Sequence, residues 1–293
     1  MIIHSCNYKN HDGYRASFNR LSKLVFGIEF EVWYQKGAWD DRYICHSFVA
    51  DEEVIANVSV SKMNLVIHGE SIRALQIGTV MTHPEHRGKG LSKQLMEHVL
   101  DTYKDTCDLF FLFANRTALE YYPKFGFSAV PEHRFLLNIS GEPKNNLISL
   151  EKLDVSTNEH WNFIKQRLSS RRPISKYFGV TNNEGLFQFY ALNVFQECLY
   201  YSQSDDAIIV LEHEGDLLHL YDIVSDEEVD IEALVSRITA EGTRKVRFHF
   251  TPDQVIDKAS AEPFGELEDV LFIKSRSDLG KLPAFCAPTL AHA

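Results

Sequence analysis

Apolar residues recur along this chain in two rhythms. In residues 91–103, Leu91, Leu95, Val99 and Tyr103 fall four apart, which is one face of a helix. Residues 14–26 carry apolar positions near the same spacing and predict another helix. Residues 43–50, 54–66 and 72–82 are rich in Val, Ile and aromatic residues and predict strands. Short turn signals, Asp51-Glu52-Glu53 and His68-Gly69-Glu70, separate them as in an antiparallel meander. Residues 109–113 are a continuous apolar run, the pattern of a strand covered on both faces. A short helix is expected over 118–122, stopped at Pro123, followed by a strand over 134–139. Residues 33–43 set Trp33, Tyr34, Trp39 and Tyr43 around a glycine and two aspartates and predict a structured loop. The order implies a mixed α/β (α+β) sheet flanked by helices.

The turn formers of 140–146, Ser-Gly-Glu-Pro-Lys-Asn-Asn, mark a boundary. They predict a first unit over 1–142 and a second α/β unit over 150–293. In the second unit, 207–211 and 217–224 read as a hairpin across 212–216. Ser225 and Glu228 read as a capping box before a helix over 228–240, and 245–250 alternates like a strand. A further strand is expected at 271–274, ahead of a tail over 282–293.

Composition narrows the function classes. The chain has 293 residues, 44% hydrophobic and 24% charged, as in ordinary globular domains. No apolar run approaches the roughly 20 residues that cross a bilayer, and the N-terminus carries no signal-peptide core, so no membrane association is expected. The five cysteines are scattered with no CxxC pair, which disfavours a disulfide scaffold or a cysteine zinc site and suits a reducing cytoplasm. Net charge is −11 and uneven: residues 1–150 hold 16 basic and 17 acidic side chains, residues 151–293 hold 14 and 24. Such a field disfavours nucleic acid as a partner and favours a cationic small molecule.

The chemistry is concentrated in Val80-Met81-Thr82-His83-Pro84-Glu85-His86-Arg87-Gly88-Lys89-Gly90-Leu91-Ser92. A strand ends, a loop with two glycines and two cations follows, and a helix begins. Glycines allow positive φ and close backbone approach. The helix start adds exposed N–H groups and partial positive charge. The whole is an anion cradle suited to a pyrophosphate. It is too short for a P-loop and lacks the third glycine of a dinucleotide-binding fingerprint. His83 and His86 have no nearby carboxylate set to complete a metal site. HExxH and GxSxG are both absent, so no metal is expected.

Downstream stands Asn115-Arg116-Thr117-Ala118-Leu119-Glu120-Tyr121-Tyr122-Pro123-Lys124-Phe125-Gly126-Phe127. With the loop before it, this resembles the GCN5-related N-acetyltransferase (GNAT) family. That family carries (Q/R)xxGx(G/A) between its fourth strand and third helix, and N-x-x-A-x-x-(F/Y)-Y-x-K-x-G-F after its fifth strand. The resemblance covers 43–139 well and the first 42 residues loosely. Glu85 stands where the family most often has Gln or Arg, while Gly88 and Gly90 are kept.

The resemblance implies a GNAT-type, mostly antiparallel sheet, with a degenerate second domain as in tandem members. It implies an acetyl-CoA-dependent N-acetyltransferase in which an amine attacks directly through a tetrahedral intermediate. Val80, Met81 and Thr82 would meet the pantetheine amides from a splayed strand. Arg87, Gly88, Lys89, Gly90, Leu91, Ser92 and Lys93 would wrap the pyrophosphate, and Asn115 would hold the pantetheine arm. Tyr122, a phenol protonated at neutral pH, would be the general acid.

A base is also required. His83 is a candidate because it stands beside the motif and imidazole is a common general base, and Glu29 and Glu31 fall in the family's variable acceptor region. Trp33, Trp39 and Tyr43, with Asp40 and Asp41, could line a pocket for a small-molecule or peptide amine. The second unit would shape the acceptor site, mediate a homodimer or stabilise the first. The alternative reading is a non-catalytic CoA-binding sensor or scaffold.

Overall fold

The computed structural model describes residues 1–139, 150–265 and 268–293, so the expected boundary at 140–146 lies outside the described residues. Along the chain come β1 (Ile2–Cys6), α1 (Asp12–Phe26), α2 (Glu31–Gln35), β2 (Tyr43–Ala50), β3 (Glu53–Ile67), β4 (Glu70–Thr82), α3 (Leu91–Tyr103) and β5 (Leu109–Ala114). Then follow β6 (Ser128–Val130), β7 (His133–Asn138), β8 (Leu150–Lys152), α4 (Asn158–Ser169), β9 (Phe178–Thr181) and α5 (Glu184–Asn193). The chain continues with β10 (Leu199–Ser202), β11 (Ala207–Glu214), β12 (Leu217–Val224), α6 (Ile231–Ile238), β13 (Lys245–Phe248), β14 (Ser260–Pro263) and β15 (Val270–Ser275).

The predicted meander and the helix over 91–103 are present at the expected places. On α3, Leu91, Leu95, Met96, Val99 and Tyr103 are buried, packed with Val58, Val60, Leu75, Ile77 and Leu112 of the sheet. Three expectations change. Residues 33–35 of the expected loop belong instead to a short helix, α2, that begins at Glu31. The helix expected over 118–122 is replaced by two 3-10 turns, at Arg116–Ala118 and Tyr122–Phe125. Pro123 sits at the start of the second turn, where a missing N–H costs no hydrogen bond. The last helix starts at Ile231, because Asp230 caps it by accepting from Ala233 N at 2.9 Å. Ser225 instead accepts from Glu227 N at 3.1 Å in a local turn.

Two mostly antiparallel sheets result. The first has the order β1-β2-β3-β4-β5-β15-β6, with β9 paired to the far end of β3. The second has the order β14-β7-β13-β12-β11-β10-β8. The halves exchange strands: β15, from the end of the chain, pairs along all of β5, and β7 leaves the first half to pair with β13 and β14. The second sheet repeats the local topology of the first. In each, an antiparallel meander leads through a helix to a parallel strand, with an exchanged strand on that strand's far edge. One hydrophobic cluster joins Phe18, Phe30, Trp33 and Trp39 of the first half to Trp161, Phe187, Ala191 and Ile208 of the second. The halves therefore share a core.

Candidate active site

The site begins at a fork between strands. β4 pairs in parallel with β5 only over Ala74–Gln76. Beyond Gln76, β5 is held by β15 through to Ala114, while β4 bends away. The bend is a β-bulge: Asn57 faces Met81 and Ser59 faces Gly78, so Thr79 and Val80 together oppose Val58. Thr79 has φ 49°, a left-handed conformation that a β-branched residue adopts only when its surroundings impose it. They do so through hydrogen bonds. The Asn57 amide donates to Thr79 O at 2.8 Å, and Tyr43 Oη lies 2.8 Å from Thr79 Oγ1. Asn57 is itself fully buried and held by Ser47 Oγ, which donates to its Oδ1 at 2.8 Å. The edge of β4 that turns from β5 thus offers backbone groups to the space in the fork.

A cavity of about 390 Å³ fills that space. One wall is Ile77, Gly78, Thr79 and Val80; another is Phe113, Asn115, Ala118 and Tyr122. Tyr122 is 7% exposed, and burial, with Tyr121 and Asp269 nearby, raises its phenol to about 12. Asn115 caps the following turn through its oxygen, which accepts from Thr117 N at 3.0 Å and from Thr117 Oγ1 at 2.6 Å. Its amide N–H groups remain the ones able to donate into the cavity.

The rest of the lining comes from elsewhere in the chain. Trp33 and Tyr43 belong to the aromatic segment, with Phe26, Ile28 and Phe30 just before it. Gly185, Leu186, Phe189 and Tyr190 come from α5 of the second half. Trp33 fixes this junction by donating from Nε1 to Gly185 O at 2.7 Å, and Arg42 pairs with Glu184. A Cβ on Gly185 would fall 2.8 Å from Ala38 O, so α5 can dock this closely only with glycine there. The chain's last residues complete the floor. His292 stacks on Phe113 with ring centroids 3.6 Å apart, and burial lowers its pKa to about 3. A Cβ on Gly78 would lie 2.7 Å from the Ala293 backbone.

The structure sorts the sequence-predicted residues. Val80, Asn115, Tyr122, Trp33 and Tyr43 line the cavity together, whereas Trp39 is core, 4% exposed, with Nε1 donating to Tyr43 O at 3.2 Å. Met81 is likewise buried. His83 does not line the cavity. Its Nδ1 accepts from Glu85 N at 3.4 Å at the start of a 3-10 turn. The candidate carboxylates Glu29, Glu31 and Asp41 are paired with Lys23, Arg15 and Lys9. Asp40 reaches the lining but pairs with Arg42. Asp269 is the cavity carboxylate that sequence reasoning missed. It stands just before β15 at the rim, partial burial raises its pKa, and among the described residues it is in no ion pair. No local motif marks Asp269. The α5 wall had a signal, Asn183-Glu184 followed by Phe187 and Ala191 four apart.

The predicted cradle follows the bent strand directly. Gly88 and Gly90 have φ of 75° and 76°, and Gly90 caps α3 without a side-chain hydrogen bond. Arg87 and Lys89 are exposed, with Arg87 Nε donating to Thr82 O at 3.3 Å. Leu91 is core, and Lys93 lies 3.7 Å from Glu97. The equivalent loop of the second sheet, 225–230, reads Ser-Asp-Glu-Glu-Val-Asp, acidic and without glycine, so it cannot serve an anion. No helix among the described residues is long and apolar enough to cross a membrane.

Residues 10–130 match the family described as acetyltransferase (GNAT) domain. No curated protein matches the sequence. Among solved structures, the chain is similar to a conserved protein from Enterococcus faecalis described as a probable N-acyltransferase, at 15% identity and TM-score 0.64, covering 94% of this chain and 72% of that one. It is also similar to a GCN5-related N-acetyltransferase from Kribbella flavida, at 15% identity and TM-score 0.58 over 94% and 72% of the two chains. A third, from Anabaena variabilis, shows 14% identity and TM-score 0.56 over 94% and 73%. These likenesses concern the fold, and they extend over both halves.

Proposed function

We propose, starting from the GNAT acetyltransferase domain that residues 10–130 form, that this acyltransferase moves an acetyl group from acetyl-CoA to a primary amine. The observation that carries the reading is the position of Tyr122 on the wall of the cavity at the β4–β5 fork, with the glycine cradle at the end of the same β4 strand.

The residues fit the donor. Positive-φ glycines, the uncapped start of α3, Arg87 and Lys89 suit the pyrophosphate. The backbone of Val80, Met81 and Thr82 on the parted strand, and the amide of Asn115, suit the amides of the pantetheine arm. When bound, acetyl-CoA supplies an acetyl group activated as a thioester. Tyr122, held protonated far above neutral pH, would donate its proton to the leaving thiolate.

Asp269 replaces His83 as the group proposed to receive the amine's proton, because it shares the cavity with Tyr122 and its raised pKa suits a base. The acceptor is inferred from the lining. Walls of Phe30, Trp33, Tyr43, Phe189 and Tyr190, with a carboxylate at the rim, suit an amine on an aromatic or aliphatic body.

Calorimetric titration with acetyl-CoA and with free CoA tests the donor site, using Gly88→Trp as the control. Saturable binding that this variant loses is expected, because an L-residue at φ 75° is strained and the indole blocks the cradle. No binding by the native chain would overturn the reading.

A further inference from the structure

Three histidines from separate elements meet at the β1–β2 edge of the first sheet, outside the cavity described above. His4 lies on β1, His46 on β2 and His98 on α3, and one ring nitrogen of each lies within 4.8 Å of the others. His4 and His98 pack ring to ring at 4.3 Å, and His4 and His46 stack at 5.6 Å. His46 is the buried member, 2% exposed. Its Nε2 lies 3.0 Å from Tyr103 Oη, while its Nδ1 is buried without a hydrogen-bond partner among the described residues. A buried, unpartnered ring nitrogen costs free energy unless something occupies its lone pair.

We propose that His4, His46 and His98 form a binding site for one zinc-type divalent cation, with Nδ1 of His46 as the buried ligand. The donor set is three neutral nitrogens with no carboxylate or thiolate, which suits Zn²⁺, Ni²⁺ or Cu²⁺ and not Ca²⁺ or Mg²⁺. Burial, with His4 and His98 as neighbours, lowers the His46 pKa to about 4, so its lone pair is free at neutral pH. Coordination at Nδ1 leaves Nε2–H to donate to Tyr103 Oη, which fixes the tautomer and the orientation of the ring. Zinc–nitrogen bonds of about 2.0–2.1 Å in a tetrahedron set ligand nitrogens roughly 3.3 Å apart. The exposed side chains of His4 and His98 reach that spacing by small torsional changes, with water in the fourth position. The bound ion would tie the exposed edge strand β1 to α3, the helix whose start forms the anion cradle.

The test uses the full chain freed of metal by chelation. Titration with Zn²⁺ in competition with a chromogenic chelator is expected to show one equivalent bound with micromolar or tighter Kd, raising Tm by several degrees. Co²⁺ in its place is expected to give the visible bands of a tetrahedral site. His98→Ala and, separately, His4→Gln are each expected to weaken binding at least tenfold and to abolish the Tm rise. Both residues are exposed, so the variants should fold. Absence of a saturable equivalent, or binding unchanged in both variants, would overturn the proposal.

Discussion

Glu132 shows how much a single buried group can set in this molecule. It is 4% exposed; Oε1 accepts from Ala287 N at 2.8 Å, while Oε2 has no partner among the described residues. Burial pushes its carboxyl up to about 8. Between about pH 4.5 and 8 the folded carboxyl keeps a proton that the unfolded one has lost, so its contribution to stability falls as pH rises. Glu132→Gln removes this dependence. The Tm of the variant relative to wild type should rise between pH 5 and pH 8, and a pH-independent difference would refute the assignment. Buried histidines such as His46 act in the opposite sense below pH 6.5, but equally in both proteins. At this scale the sequence was informative where a motif spoke: Asn115 and Tyr122 sit at the cavity. His83 lies outside the cavity lining and Asp269 within it, because proximity to the loop in sequence is not proximity to the cavity. Asp269 reaches Tyr122 only through the pairing of β15 with β5. The cluster of His4, His46 and His98 was equally invisible, since its members come from three elements and share no spacing.

Among the elements, β4 is the one whose shape creates the site. Its bulge depends on Asn57, which binds Ser47 Oγ, Ser59 Oγ and Thr79 O at once. Asn57→Ala removes all three bonds and takes from Thr79 O its side-chain donor, while Ser47 keeps Tyr8 and Ser59 keeps Cys45, and is expected to cost about 1–3 kcal/mol. It should also relax Thr79 from φ 49° and weaken acetyl-CoA binding. Chemical denaturation with titration of the folded variant checks both; unchanged stability would show that the bulge stands without Asn57. The long elements were legible because β2 to β4 are rich in Val, Ile and aromatic residues, β5 is an unbroken apolar run and α3 keeps a four-residue spacing. The short strands β1, β6, β8 and β14 were not, because three to five residues that stay largely exposed leave no apolar rhythm. Nor could Ser225 with Glu228 be told in sequence from the true cap at Asp230, since both are acidic starts to an apolar run.

The whole molecule is held together by exchange. β5 and β6 of the first sheet are bridged by β15 from the end of the chain, and β7 completes the second sheet. A fragment of residues 1–142 therefore lacks an interior strand. It should fail to fold, giving a poorly dispersed amide NMR spectrum, while the full chain unfolds in one transition. A folded, well-dispersed fragment would contradict this. Composition and charge suggested two units, but pairing between distant segments leaves no local trace, so the exchange was hidden from sequence. It matters for function because Gly185, Phe189, Asp269 and His292, all from the second half, line the cavity of the first. Thiol release from acetyl-CoA across a panel of aromatic and aliphatic primary amines, by wild type and Tyr122→Phe, is the decisive measurement. Turnover by wild type is expected, with kcat reduced about 10²–10⁴-fold in the variant and acetyl-CoA affinity retained. Equal turnover by the two proteins, or binding of acetyl-CoA with no transfer to any amine by wild type, would contradict the proposed function.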